Sequence, residues 1–479
     1  MAARIVSTYE HLQYWEVKSP EAVAMVNYKH TITYARFIKD VRRFTGAVAE
    51  LGVKHGDVVL VSCADVYIHW LFLLAVENLG AVSASVVIPV QPIAPKIFER
   101  ATFILSEEAP ECLSGQKLQL IDQQWVADTM ARPIQDITPL LYPIQAHDGS
   151  RLVSSSGTTG EPKVMLLTHA FQEERIRFNM DFSGLTRRSR MLLAAPYAIN
   201  PSYTRMINCL RIGAMMMTGP LPEMIRKYQP TSTWMMPVQI ETLLNDLPQD
   251  FPKPPKLDII CAGAALSAKL RERVLARLAT RITCNFGTNE SGALFTVDPQ
   301  GRGLLLPGVQ AQVVDDDYKP LPLGELGLLG VRSALNIDGY LDNPQANQTL
   351  MREGWFYPGD MAVMMSARTL RVMGRQDEVL NLGGVKIPPT VVEEQVMAVA
   401  GVQEVAALSD TKPDTGVARL CLAIVAQPDA DKNLILKLVP DVVNVPATQL
   451  IMRIVPSLPY TDNGKLKRKA LRSLFENKV

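Results

Sequence analysis

Apolar residues recur at helical spacing at Tyr34, Phe37, Val41, Phe44, Val48 and Leu51, which predicts an amphipathic helix over residues 33–51. Gly52 follows, where a glycine commonly ends a helix. Residues 57–62 form a short apolar run suited to a buried strand, a second helical stretch is expected over 70–79 ahead of Gly80, and 81–87 read as the next strand. Further strand candidates stand at 191–193, 214–217, 257–261 and 281–286. This alternation predicts an α/β domain with a mostly parallel sheet. From about Gly308 the pattern changes to short β-rich pieces broken by Pro and Gly, such as residues 326–332. After Gly374-Arg375-Gln376-Asp377 it changes again, to a compact α+β pattern.

A chain of 479 residues is too long for one core, and at ~150 residues per domain about three structural units are expected. Hydrophobic residues make up 47% and charged residues 20%, ordinary values for a soluble globular protein. No apolar run reaches the ~18 residues that a membrane span needs, and the N-terminal residues lack the pattern of a secretory signal. A net charge of +1 points to no polyanionic partner, so nucleic-acid binding is not expected. Cys63, Cys112, Cys209, Cys261, Cys284 and Cys421 are scattered without C-x-x-C spacing among apolar neighbours. They are expected to be reduced core residues of a cytoplasmic protein, with no metal framework.

The first chemical signal is the stretch 154–163, Ser-Ser-Ser-Gly-Thr-Thr-Gly-Glu-Pro-Lys, between a strand end at Leu152-Val153 and an apolar run at 164–167. Gly157 and Gly160 let the backbone approach a ligand, the hydroxyls of Ser155, Ser156, Thr158 and Thr159 supply donors, and Lys163 supplies charge, a composition suited to phosphate. A Walker loop needs G-x-x-x-x-G-K-[ST]; here the glycines are closer and Val164 follows the lysine, so another fold must be involved. Four more segments join it: residues 285–292, Asn-Phe-Gly-Thr-Asn-Glu-Ser-Gly; 354–360, ending in Asp360; 374–377 with the Gly383-Gly384 stretch beyond; and 458–468, where Lys465 follows a glycine. Each alone fits a cap, a turn or a solvated basic face.

Together and in this order they resemble the ANL superfamily of acyl-adenylate-forming enzymes, with the resemblance spanning residues 32–471. It implies an α/β fold with a large N-terminal AMP-binding domain, residues 1–376, of two parallel-type sheets plus a β-barrel subdomain over about 293–376. A hinge at Asp377 would join it to a small mobile α+β domain, residues 377–479. It implies that residues 154–163 hold the β- and γ-phosphates of ATP, with Thr158 and Lys163 in the catalytic set. Gly263, Ala264 and Ala265 would flank adenine, Phe286 would stack on it, and Asn285, Gly287, Thr288 and Asn289 would line the nucleotide. Glu290 would hold Mg²⁺, Asp360 the ribose hydroxyls, Arg375 ribose and phosphate, and Lys465 would be the catalytic lysine. Gly383 and Gly384 would line a tunnel for a pantetheine thiol. Val164, Phe286, Asn289 and Tyr460 depart from the usual residues, yet none removes an ionic group.

The acid pocket is expected at Tyr197, Asn200, Tyr203, Trp234, Met236, Gly263 and Gly287, with Gln239 nearby. Asn200 stands where amino-acid-activating relatives carry an aspartate and cannot neutralise an ammonium, so a carboxylic acid with an apolar or hydroxylated body is expected. The expected reaction is ATP-dependent formation of acyl-AMP, then transfer to a thiol to give acyl-CoA. The alternatives are a stand-alone enzyme loading the phosphopantetheine of a carrier protein, towards which the short stretch ahead of the phosphate loop leans, and a non-catalytic nucleotide-binding protein.

Overall fold

The computed structural model describes residues 5–86, 95–110, 115–155, 162–382, 385–411, 418–443, 445–460 and 466–475. The chain divides into two compact units, Met1–Gly292 with Ala334–Gln348, and Ala293–Ser333 with Thr349–Val479.

The first unit is built on two sheets. In one, the strands Arg281–Thr288, Asp258–Cys261, Ser232–Met235, Arg190–Leu193, Met215–Thr218 and Val23–Asn27 run parallel in that spatial order, and His30–Thr33 closes the edge antiparallel. In the other, Lys117–Leu120, Phe103–Ser106, Val58–Ser62, Val82–Ser85 and Gly149–Ser155 are parallel, and Lys163–Thr168 is added antiparallel. All the strands expected in this region form, with ends shifted by a few residues.

The helix expected over 33–51 forms as Tyr34–Glu50, capped by Thr33, whose side chain accepts from the Arg36 N–H, and it buries Tyr34, Phe37, Val41, Phe44 and Val48. The second helix begins earlier than expected, at Val66, because the Asp65 carboxylate accepts from the N–H groups of Tyr67 and Ile68. It is buried from Tyr67 to Ala75 on all sides, so helical periodicity could not mark its start. Phe44 and Phe72 meet edge to face at 5.0 Å between these helices.

The second unit is antiparallel where the sequence turns β-rich. Leu326–Arg332 pairs with Gln310–Val314 along one edge and with both Asp360–Met364 and Trp355–Phe356 along the other. The path continues through Thr369–Arg375 and Gly303–Leu305. Among the described residues these pairings do not close, so the expected β-barrel is an open antiparallel sheet; it ends on the two-residue strand Met351–Arg352, too short to carry the ladder further. Beyond Asp377, the hairpin Val402–Thr411 and Ala418–Ala426 takes Leu450–Ile454 as a parallel third strand. The helices Pro389–Met397 and Lys432–Val443 pack Val392, Val396, Ile435 and Val439 into its core.

Gly213 ends the helix Asn200–Ile212 at φ +75°, and a Cβ there would lie 2.7 Å from the Trp15 ring, which donates its indole N–H to the Arg211 carbonyl at 2.9 Å. Gly213→Ala therefore meets both backbone strain and a ring that cannot move, and is expected to cost about 2 kcal/mol or more in urea denaturation. An unchanged midpoint would contradict the seating of Trp15.

Candidate active site

The phosphate-loop candidate spans two paired strands. Gly149–Ser155 leads in, Lys163–Thr168 leads out, and Ser155 lies opposite Lys163 in the register. Ser156, Gly157, Thr158, Thr159 and Gly160 lie outside the described residues, as do Lys465, Gly383 and Gly384. The loop's root is held to two distant segments. Asn289 Nδ2 donates to the Ser154 carbonyl at 3.0 Å, and the Leu341 N–H donates to the Val164 carbonyl at 2.8 Å.

Glu290 is buried where these segments meet. Tyr340 donates its hydroxyl to Glu290 Oε1 at 2.8 Å, and Lys163 Nζ sits 5.7 Å from the Tyr340 ring centroid. Burial and the Glu290 charge both push the Tyr340 hydroxyl pKa far up, so it stays a donor at any physiological pH. Arg175, also buried, donates to the carbonyls of Asn289 at 2.6 Å and Leu335 at 3.4 Å. Burial lowers its pKa to about 10 against the attraction of Glu290, which leaves it charged at neutral pH and partly balances the carboxylate. Among the described residues no hydrogen bond engages Glu290 Oε2. A carboxylate with one oxygen fixed and the other uncommitted suits a hard divalent cation, so Glu290 would hold Mg²⁺, which would draw charge from the departing phosphates.

Sequence reasoning missed Tyr340 and Arg175. Tyr340 sits in Asp-Gly-Tyr-Leu with nothing ionic to mark its role, and Arg175 lies among the charges of a helix, where a solvated face is the ordinary reading.

The adenine candidates leave neighbouring parallel strands at their C-terminal ends, the position where open α/β sheets bind ligands. Gly263 (φ +95°), Ala264 and Ala265 follow Asp258–Cys261, and all three are exposed. Asn285, Phe286, Gly287 and Thr288 end the adjacent strand; Asn285 is buried, Phe286 half-buried and Gly287 exposed. Thr288 accepts from the Ser291 N–H at 3.0 Å.

Of the pocket candidates, Trp234 and Met236 are buried with Ala195 and Ile260 in a small cluster apart from the two large cores of this unit. Met236 packs against Gly263, its Cγ 3.2 Å from where a Cβ would stand. Asn200 is buried beside this cluster's Ile199, and its Oδ1 has no partner among the described residues. Tyr197 donates its hydroxyl to the Cys63 carbonyl. Tyr203 lies instead in the large core, between the Trp70 ring, stacked at 5.4 Å, and the Arg151 guanidinium at 4.3 Å. Sequence reasoning also missed Arg205. Its guanidinium lies 5.3 Å from the Trp234 ring centroid, and Nη1 donates to the Pro201 carbonyl at 2.9 Å. It forms no salt bridge among the described residues, and although burial lowers its pKa to about 10 it stays protonated at neutral pH.

In the second unit, Asp360 and Arg375 are paired across strands, with Arg375 Nη1 3.4 Å from Asp360 Oδ2 and 2.6 Å from the Pro358 carbonyl. Arg375 Nε is 3.5 Å from Asp377, which is exposed in the short turn Gln376–Glu378. Tyr460 and Leu466 form an antiparallel bridge across the segment that carries Lys465. Just beyond, Arg468 grips both Glu393 oxygens at 2.5 and 3.1 Å, and its Nε reaches Glu378 at 2.9 Å. That fork ties the root of the lysine segment to the turn at Asp377.

The family model for AMP-binding enzymes matches residues 12–341, and the chain belongs to that family, the acyl-adenylate-forming ligases. Similar curated proteins include the fatty acid–[acyl-carrier-protein] ligase MmaC of Mycobacterium marinum, 24% identical with 95% of each chain covered. The 2-hydroxy-7-methoxy-5-methyl-1-naphthoate–CoA ligase of Streptomyces carzinostaticus is 25% identical over 97% of this chain and 92% of its own. Among solved structures, ATP-bound MatB from Rhodopseudomonas palustris shares the fold at a TM-score of 0.81, covering 98% of this chain and 99% of that one at 18% identity. Among the described residues, no helix is long and apolar enough to cross a membrane.

Tyr340→Phe leaves the Glu290 carboxylate without its donor. Loss of such a ligand-orienting bond is expected to raise the Mg²⁺ concentration for half-maximal ATP–pyrophosphate exchange about tenfold. A Mg²⁺ titration at saturating ATP measures this, and an unchanged requirement would break the link between Tyr340 and the metal.

Proposed function

We propose that the chain uses ATP and Mg²⁺ to convert a carboxylic acid other than an α-amino acid into acyl-AMP and pyrophosphate. It then passes the acyl group to the pantetheine thiol of coenzyme A. The observation that carries this reading is the junction at Glu290, where one carboxylate, its tyrosine donor and Lys163 gather at the root of a Ser/Thr/Gly loop.

Attack by a carboxylate on the α-phosphorus brings two anions together, so the chain's task is to neutralise and orient. Ser155, Lys163 and the hydroxyls at 156–159 would hold the β- and γ-phosphates. Gly263 to Ala265 and Phe286 would enclose adenine, while Asp360 and Arg375 would take the ribose. Lys465 would bridge the acyl carboxylate and the α-phosphate as charge builds, and a turn at Asp377 would then withdraw it for the thiol step past Gly383 and Gly384. Lys465→Ala is expected to abolish nearly all adenylate formation while sparing thioester formation from supplied acyl-adenylate; equal loss in both assays would contradict the role.

A carrier protein is the second reading of the acceptor, favoured by the full-length similarity to a ligase named for a carrier-protein acceptor. Assays with coenzyme A, and with a carrier protein with and without its pantetheine arm, separate the two.

The acid is read from Asn200 and Arg205. Asn200 cannot neutralise an ammonium, and Arg205 beside Trp234 adds a buried cation that would repel one. Both support an acid whose body carries a hydroxyl or a further anionic oxygen. ATP–pyrophosphate exchange over fatty, aryl, hydroxy and amino acids tests this, and exchange only with amino acids would sink it. Arg205→Met is expected to leave stability unchanged or raised, since a buried charge with no salt bridge among the described residues gives way to an apolar chain of similar length. It should raise KM for the preferred acid about tenfold, the worth of one charged hydrogen bond, and a KM equal to the parent's would remove Arg205 from recognition.

A further inference from the structure

Two cysteines far apart in the sequence become direct neighbours in the fold. Cys261 ends the strand Asp258–Cys261 and lies opposite Cys284 in the adjacent parallel strand Arg281–Thr288. Paired residues in neighbouring strands are about 4.8 Å apart, within the roughly 4.4–6.8 Å Cα separation of a disulfide. Both side chains face the core formed with the helices Pro237–Asp246 and Ala268–Arg277. Cys261 is sealed there at 1% exposure, whereas Cys284 is half-buried. Arg271, from the second helix, places Nη2 3.0 Å from Cys284 Sγ and Nη1 3.3 Å from the Ile282 carbonyl.

The pair is therefore asymmetric. The neighbouring Cys261 thiol draws the Cys284 pKa down against the opposing effect of burial, and Arg271 adds to the lowering. The Cys261 thiol, buried and beside Cys284, is pushed up. One half-buried, thiolate-prone sulfur beside an arginine and one sealed thiol opposite it make an attacking and a resolving cysteine. The other described cysteines, Cys63, Cys209 and Cys421, are buried, and burial raises the pKa of each.

We propose that Cys261 and Cys284 form an oxidation-sensitive pair whose disulfide switches off nucleotide use. The oxidant is hydrogen peroxide. The Cys284 thiolate attacks one peroxide oxygen, the O–O bond breaks, and hydroxide leaves, giving the sulfenic acid. Cys261 sulfur then attacks the Cys284 sulfur, the S–O bond breaks, and its proton leaves with the hydroxide as water. Overall, two thiols and one hydrogen peroxide give one disulfide and two waters, and a dithiol reductant reverses it. The consequence rests on the nucleotide roles proposed above, because Gly263 and Ala264 begin two residues after Cys261, and Phe286 lies two after Cys284. Closing the sulfurs to a bond length takes the Cys284 sulfur from Arg271 and ties the two strand ends to each other, so the residues that follow them lose the freedom to settle around a nucleotide.

The test treats the full chain with hydrogen peroxide, blocks free thiols, digests without reduction and seeks the joined Cys261–Cys284 peptide by mass spectrometry. ATP–pyrophosphate exchange is measured on the same samples before and after dithiothreitol. The expected result is the joined peptide, with exchange falling about tenfold or more, as a small misplacement of binding groups entails, and recovering with dithiothreitol. Cys284→Ser and Cys261→Ser should each keep their exchange rate under peroxide. No joined peptide from the native protein, or a joined peptide with exchange unchanged, overturns the switch. A joined peptide in a protein that shows no exchange with any acid before oxidation supports the thiol pair and counts against the proposed function, so the two failures are distinguishable.

Discussion

A carboxylate can be kept inside a protein only if its charge is met, and the first unit is organised around meeting that of Glu290. Tyr340 holds one oxygen, Arg175 supplies the opposing field, and Arg175 Nη2 fastens the carbonyls of Asn289 and Leu335. Because Asn289 in turn holds the Ser154 carbonyl, one charge requirement fixes three stretches that are far apart in the chain. The strand ends at Ser154 and Val164, which flank the candidate phosphate loop, are tied into this arrangement by Asn289 and Leu341.

The parts of the fold that announced themselves in the sequence are those with one buried face. Phe37, Val41, Phe44 and Val48 marked their helix because its other side meets water. The helix from Val66 is apolar almost all round, so its start depended on a cap at Asp65 that periodicity cannot register. The open β-rich sheet was misjudged as a barrel because short strands broken by Pro and Gly read the same in either arrangement. Among the candidate residues, Glu290, Asp360 and Arg375 stand out in the sequence as ionic groups among small neighbours. Tyr340, Arg175 and Arg205 do not, since what distinguishes them is the contacts they make in the fold. The thiol pair was hidden for the same reason, as register between strands leaves no mark on sequence spacing.

In the second unit the same economy recurs at Arg468. Its guanidinium joins Glu378, beside Asp377, to Glu393 in the helix Pro389–Met397 and to the root of the segment bearing Lys465. For the role proposed for Lys465, such a root matters, because a forked arginine between two carboxylates holds more firmly than a lysine of equal charge.

The return of residues 334–348 to the first unit limits how the protein can be dissected. A fragment ending at Gly292 would contain Glu290 and Arg175 yet lack Tyr340 and Leu341, leaving a buried acid without its hydroxyl donor and the Val164 carbonyl without its partner. The coding sequence for the first unit is thus discontinuous. Gene fusions or domain exchanges that respect folding must carry that short later stretch along with the first 292 residues.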